Sequence, residues 1–318
     1  MIPYEWFEQA ESRIAPYIQR TPLTYDAARY LYIKWENRQV TGSFKARGAF
    51  NKVLLLEDWE RKVGLVAASA GNHGLGIALA GREIGAAAEV FVSENAVPAK
   101  IEAMQSLGAI IHKVPGGYAE AEDAGKAYAA EQGKTWLSPY SDGQVIAGQG
   151  TIGLELIREL SERTNIWLVP VGGGGLLTGI GASVQEQASR PSLIGVQAEA
   201  SPFMFSLFYK NTQEGTLDLP TLADGLAGAV ERGSVTIPMV KQLADEIILV
   251  SEDEIAYAIA YAWNVFGEKV EGAGAVGLAA VLSDKVKAQP VVVVVSGGNV
   301  QPEVHNEILE RFAGERWN

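Results

Sequence analysis

Ile166-Trp167-Leu168-Val169-Pro170-Val171-Gly172-Gly173-Gly174-Gly175-Leu176 is an apolar run that breaks into four consecutive glycines. The run lacks polar alternation, so it predicts a strand buried on both faces, as in a parallel sheet covered by helices. Four glycines in a row are costly in conformational entropy, which points to close approach of a ligand to the backbone. A helix follows, and oriented N–H groups at its start make a phosphate cradle. No Lys-Ser/Thr pair closes the glycine run, which argues against a nucleotide triphosphate. A tight structural turn is the alternative reading of the same residues.

Outward from this stretch the same alternation recurs. Gly64-Leu65-Val66-Ala67-Ala68, Glu89–Val92 and Ala109–Val114 read as strands, with helical periodicity over Gly74 to Ile84, Pro98 to Leu107 and Tyr118 to Glu131. Downstream, Leu193–Val196, Glu246–Val250 and Pro290–Val295 read as strands, with a helix from Glu252 to about Val265. Apolar strands separated by helices predict an α/β fold of doubly wound layers with mainly parallel sheets. A boundary falls near residues 140 to 150, and Asn211–Pro220 reads as a surface loop.

Three further segments carry chemistry. Thr41-Gly42-Ser43-Phe44-Lys45-Ala46-Arg47-Gly48 sets a lysine at a helix start. A desolvated amine there is nucleophilic toward an aldehyde, but an isolated lysine reads first as a solvated helix-start residue, and the motif by itself decides nothing. Ser69-Ala70-Gly71-Asn72-His73-Gly74 lies between a strand and a helix, where backbone N–H groups favour phosphate or carboxylate. His73 reads as structural. Ser296-Gly297-Gly298-Asn299 ends the valine run, at the carboxyl end of a strand, where Ser296 could present its hydroxyl to a heterocyclic nitrogen.

Composition removes other classes. With 318 residues the chain has room for two domains, and a net charge of −12 disfavours nucleic acid and anionic membranes. There is no cysteine, which excludes disulfides, thiolate metal sites and cysteine catalysis. No secretion signal or membrane-length apolar stretch is read, and a cytoplasmic protein is expected.

Taken in order, the four segments resemble the fold-type II pyridoxal-phosphate enzymes of the tryptophan synthase β-like superfamily, and within it the threonine/serine dehydratases. The likeness runs from Arg20-Thr21-Pro22-Leu23 to Asn299 and includes Lys34-Trp35-Glu36-Asn37, Ile146–Thr151, Ala223-Asp224-Gly225 and Glu271–Ala275. The resemblance implies a cofactor, pyridoxal phosphate, in a cleft between two doubly wound three-layer domains. Residues 1–55 with 145–318 are expected to form a large cofactor-binding domain, and 56–144 a small mobile one. Lys45 is expected to carry the cofactor as a Schiff base and then to act as base at the substrate Cα, with Phe44 beside the ring. Asn72 is expected at the ring 3-hydroxyl, Gly172, Gly173, Gly174, Gly175 and Leu176 around the phosphate, and Ser296 at the pyridine nitrogen. Gly225 and Glu271 are expected near the ring. The substrate carboxylate is expected on Ser69, Ala70, Gly71, Asn72 and His73. The implied reaction is elimination of the hydroxyl of a β-hydroxy amino acid such as threonine or serine, giving a 2-oxo acid and ammonia, in a homodimer.

Departures from the family narrow this expectation. Serine racemases have a serine where Ala70 stands, so racemisation is not expected. Gln197 and Phe203 stand at the positions aligned with racemase metal ligands, so no metal is expected. Ser138 replaces a histidine common in dehydratases, and the chain ends at Asn318 without a regulatory domain, so no feedback inhibition by isoleucine is expected. A threonine synthase-like replacement enzyme is the near alternative. A Rossmann oxidoreductase is a distant one, since no acidic residue follows either glycine loop at the required spacing. Phe203, Phe205, Phe208 and Tyr209 are expected to be core; lining a pocket for a bulkier substrate, phenylserine- or hydroxyaspartate-like, is the sharper alternative.

Overall fold

The five valines Val291–Val295 form a fully buried strand, and their side chains divide between two apolar cores. Val291, Val293 and Val295 enter one, with Leu31 and Leu168, while Val292 and Val294 enter the other, with Trp167 and Val169. A β-branched residue at every position suits a central strand covered on both sides. In the computed structural model, which describes residues 1–160, 164, 166–187, 190–287 and 290–317, this strand is the last of ten. They are β1 Leu23–Asp26, β2 Leu31–Trp35, β3 Leu65–Ala68, β4 Ala88–Ser93, β5 Ile110–Val114, β6 Thr135–Trp136, β7 Ile166–Pro170, β8 Ser192–Ala198, β9 Glu246–Val250 and β10 Val291–Val295.

Two sheets result. One has the order β1-β2-β10-β7-β8-β9, parallel except for the β1–β2 pair, and the other runs β5-β4-β3-β6, all parallel. Except at the antiparallel β1–β2 pair, helices lie between successive strands, which is the expected doubly wound α/β architecture. Each sheet has one place where the direction of winding reverses: between β7 and β10 in the larger, between β3 and β6 in the smaller. Loops leaving neighbouring strands diverge there and open a crevice at their carboxyl ends. The glycine run follows β7, Ser296 follows β10, and Ser69 follows β3, so three of the four segments emerge at reversal points.

Most strands and helices lie where the sequence places them, with ends shifted by a residue or two. One helix starts at Asn72, not Gly74. Three strands, β1, β6 and β2, have no counterpart among those expected from the sequence, and β2 shows why. Its Lys34 interrupts the apolar pattern, yet that side chain is fully buried, its charge met by Glu155 at 2.7 Å and Glu159 at 3.0 Å. Asn211–Pro220 contains neither helix nor strand. Phe203 belongs to the core beside Leu207 and Val240, with Phe205 and Phe208 partly buried against it. Tyr209, expected in the core, is exposed, its ring at the surface and its hydroxyl on the Ile247 carbonyl.

Among the described residues no helix is long and apolar enough to cross a membrane.

Candidate active site

Lys45 opens the helix Lys45–Leu54, and tertiary ties fix that opening. The Phe44 N–H donates to the Ser296 carbonyl at 3.0 Å, and Ser43 bridges Gly297, so the lysine turn is tied to the end of β10. Two residues on, the fully buried Arg47 binds Glu36 at 2.8 Å and Glu155 at 2.7 Å. Gly48 and Gly148 face each other: a Cβ on Gly148 would lie 2.6 Å from the Arg47 carbonyl and from the Gly48 Cα. These contacts hold the helix Lys45–Leu54 hard against the helix Gly143–Glu159 and fix where Lys45 points.

The Lys45 ammonium donates to the Pro139 carbonyl at 3.0 Å and lies 5.2 Å from the centre of the Phe44 ring. Burial lowers its pKa to about 8, against an opposing pull from the Glu271 carboxylate. Burial also raises Glu271, to about 7, and the nearby Asp224 pushes the same way. The site thus holds an amine and a carboxyl that both change protonation near neutrality, which is a mark of functional sites.

Asn72 donates from Nδ2 to Glu271 at 2.6 Å, and its Oδ1 accepts from Asn299 at 2.7 Å. Both ends of the amide are therefore engaged within the protein, and a ring hydroxyl arriving there must share this network. His73 is buried, and its Nε2 meets the Leu137 carbonyl at 3.0 Å, which makes Nε2 the protonated nitrogen. Burial, with Lys45 nearby, lowers its pKa to about 3, so the ring stays neutral. The Ser296 hydroxyl donates to the Ala273 carbonyl at a long 3.3 Å and can turn toward another partner.

In the glycine run, Gly174 has φ +89° and caps the helix Gly175–Val184. The carbonyls of Gly173 and Gly174 accept from Thr236 Oγ1 at 2.6 Å and Thr178 Oγ1 at 2.8 Å. With those carbonyls occupied, the amide side of the turn and the first N–H groups of the helix are left for a ligand. A Cβ at Gly172 would meet Leu226 backbone at 2.9 Å, and one at Gly173 the Tyr140 ring at 2.4 Å. No other residue fits either position.

These segments enclose one cavity of about 410 Å³. Its lining includes every residue nominated from the sequence: Phe44 and Lys45, the loop Ser69 to His73, the run Gly172 to Leu176, Gly225, Glu271 and Ser296. It also includes residues the sequence reading passed over, among them Lys100, Tyr118, Tyr140, Asp218 and Asp224. Lys100 and Tyr118 belong to the helices Pro98–Ser106 and Tyr118–Gln132, which follow the carboxyl ends of β4 and β5. That position was the available signal. For Tyr140 no local signal exists, because its role comes from partners far away in sequence.

A parallel α/β protein with a buried amine facing an amide-lined anion cradle defines a class that grips a phosphorylated carbonyl compound at both ends. The comparisons identify which. Residues 14–297 match the family described as pyridoxal-phosphate dependent enzyme, and the chain belongs to that family. It is 39% identical to an L-threonine ammonia-lyase of Thermotoga maritima over 98% of this chain and 79% of that protein. It is 40% identical to a catabolic L-threonine dehydratase of Staphylococcus aureus over 92% of this chain and 88% of that one. Among solved structures, the processed threonine deaminase isoform 2 of Solanum lycopersicum superposes with a TM-score of 0.88 at 28% identity, covering 98% of this chain and 93% of that one. The cavity suits the cofactor on its own terms. Its amine has no salt-bridge partner among the described residues, and its glycine cradle is closed to any side chain.

Proposed function

We propose that this protein eliminates the hydroxyl of a small β-hydroxy amino acid, L-threonine or L-serine, to give a 2-oxo acid and ammonia. One observation carries the reading: the Lys45 amine, the glycine run, the Ser69–His73 loop and Ser296 line a single cavity. The kinship with threonine ammonia-lyases over most of both chains supports it.

When bound, pyridoxal phosphate supplies an electron sink conjugated to the substrate Cα. Lys45 would hold it through Nζ, with Gly172, Gly173, Gly174, Gly175 and Leu176 around its phosphate. Once the substrate amine takes its place there, the freed Lys45 nitrogen would act as the base that takes the Cα proton, a role open to an amine whose burial favours the neutral form. The backbone of Ser69, Ala70, Gly71, Asn72 and His73, at the start of the helix Asn72–Ile84, orients the substrate carboxylate by its N–H groups. Neutral His73 braces that loop against Leu137 and takes no proton in turnover. Asn72, Gly225 and Glu271 would border the ring, with Phe44 beside it. Ser296 would offer the ring nitrogen a hydroxyl instead of a carboxylate, which would limit charge in the ring and favour elimination over transamination. The β-hydroxyl leaves with a proton as water, and the product hydrolyses to the 2-oxo acid and ammonia.

The reading includes a division into 1–55 with 145–318 and 56–144, each portion built around one of the two sheets. It also includes a homodimer in the cytoplasm, by kinship with enzymes of amino-acid metabolism. Purified protein is expected to be yellow, to bleach with borohydride and to release ammonia from threonine or serine. Lys45→Ala should lose both responses. Protein that bleaches normally after Lys45→Ala, or that releases no ammonia from either amino acid, sinks the proposal.

A further inference from the structure

Gly173 is held from two sides. Its carbonyl takes the Thr236 hydroxyl at 2.6 Å, while on the other side the Tyr140 ring lies where a side chain would be. Gly175 repeats the fit, since a Cβ there would come within 2.9 Å of the Tyr140 Cβ. Tyr140 cannot retreat from this contact. Its hydroxyl accepts from the Glu231 N–H at 2.9 Å, and burial raises that hydroxyl's pKa to about 12, so it stays neutral. Next to it, the Ser141 hydroxyl accepts from the Val235 N–H at 3.2 Å.

The residues just before Tyr140 reach the other parts of the cavity. The Pro139 carbonyl takes the Lys45 ammonium and the Leu137 carbonyl takes His73, both at 3.0 Å. The Ser138 hydroxyl closes the turn by accepting from the Ser141 N–H at 2.9 Å. Leu137, Pro139 and Tyr140, in one turn after β6, therefore touch the Ser69–His73 loop, the lysine and the glycine run, segments that the chain places far apart.

We propose that Tyr140 is a positioning residue that sets the distance between the Lys45 amine and the glycine cradle, so that one ligand can be gripped at both ends. The inference rests on the reading that pyridoxal phosphate fills the cavity. Its physical basis is complementarity: a fixed aromatic plate fills the volume that Gly173 and Gly175 leave open. Removing the plate lets the run shift, and a shift of about 1 Å spoils several N–H···O geometries together. A ring that merely filled space would show no such tie to the glycines.

The test is titration of pyridoxal phosphate into the apoenzyme, followed by absorbance, for wild type, Tyr140→Phe, Tyr140→Ala, Gly173→Ala and the double variant. Tyr140→Phe keeps the plate and should bind like wild type. Tyr140→Ala should bind about tenfold or more weakly, and Gly173→Ala more weakly still. The coupling is the decisive readout: in the Tyr140→Ala background the added Gly173→Ala should cost about tenfold less than in wild type, the behaviour of residues in direct contact. Equal cost in both backgrounds, or Tyr140→Ala with the wild-type dissociation constant, overturns the inference while leaving the proposed function intact. Wild type that takes up no pyridoxal phosphate overturns both. If Tyr140→Ala does not fold, Tyr140→Leu, which removes the plate but keeps much of its volume, carries the same comparison.

Discussion

A lysine amine largely shielded from water loses part of the hydration that stabilises its charge, and at the partly buried Lys45 that loss outweighs the pull of Glu271. The nucleophile is the neutral amine, whose fraction grows as pH rises through the pKa. Capture of pyridoxal phosphate by the apoenzyme should therefore accelerate through pH about 8 and level off above it, well below the ordinary lysine value of 10.5. Stopped-flow absorbance across pH measures this, and an inflection near the ordinary value would count against a desolvated amine. Glu271 raises the Lys45 pKa, so Glu271→Gln should move the inflection to lower pH. An unmoved inflection would mean that the two groups do not interact. Tyr140 shows the limit of reading single residues: nothing in its own stretch of sequence assigns it a role, and only its spatial neighbours do.

At the scale of elements, the helix Lys45–Leu54 is positioned by charge and by absence of side chains. Arg47, Glu36, Glu155 and Lys34 form a buried network completed by Thr151 and the Thr21 carbonyl. Arg47→Ala leaves two buried carboxylates short of their partner and should destabilise the protein by roughly 3–5 kcal/mol in urea unfolding. Arg47→Lys should recover little, because a lysine cannot supply the forked, two-sided contact. A loss under about 1 kcal/mol would show that the network relaxes freely. At Gly148 a Cβ meets backbone at 2.6 Å, which outweighs the usual helix gain of alanine over glycine. Gly148→Ala should therefore both lower stability and weaken pyridoxal phosphate binding, by pushing the Lys45 helix outward. Normal binding with normal stability would refute that link. The sequence marks Ile146–Thr151 as a distinctive segment, but only packing shows that its glycines are for helix contact.

At the scale of the molecule, ion pairs cross between the two sheets at the cavity. Lys100, after β4, binds Asp224 at 3.0 Å, and Lys126, in the helix Tyr118–Gln132, binds Glu231. Asp224 is largely exposed, and exposed pairs are worth about 0–1 kcal/mol, so the pair ties the two sides of the cavity together only weakly. Lys100→Ala should raise KM for the amino acid by no more than about fivefold, with kcat nearly unchanged. Salt should raise KM in wild type and do so less in the variant, because screening removes the same attraction. Identical salt dependence in both would exclude the pair from this role. The doubly wound topology was legible in advance because apolar runs of strand length, separated by helical periods, leave few ways to bury themselves. Strand β2 was not, because Lys34 becomes acceptable in a core only once Glu155 and Glu159 arrive from another helix.

The order of apolar runs and glycine-rich turns was enough to determine the α/β class, since it depends on local backbone chemistry, while the four loops and the lysine among them were pointed to by the resemblance to a known family. Tertiary structure alone decided how those loops meet. The reversals of winding between β7 and β10 and between β3 and β6 bring them to one cavity, and the Asn72–Glu271–Asn299 contacts, the Arg47 network and the Tyr140 plate join residues far apart along the chain. A sequence records which groups are present. Their distances, and therefore their protonation and their fit to a ligand, exist only after folding.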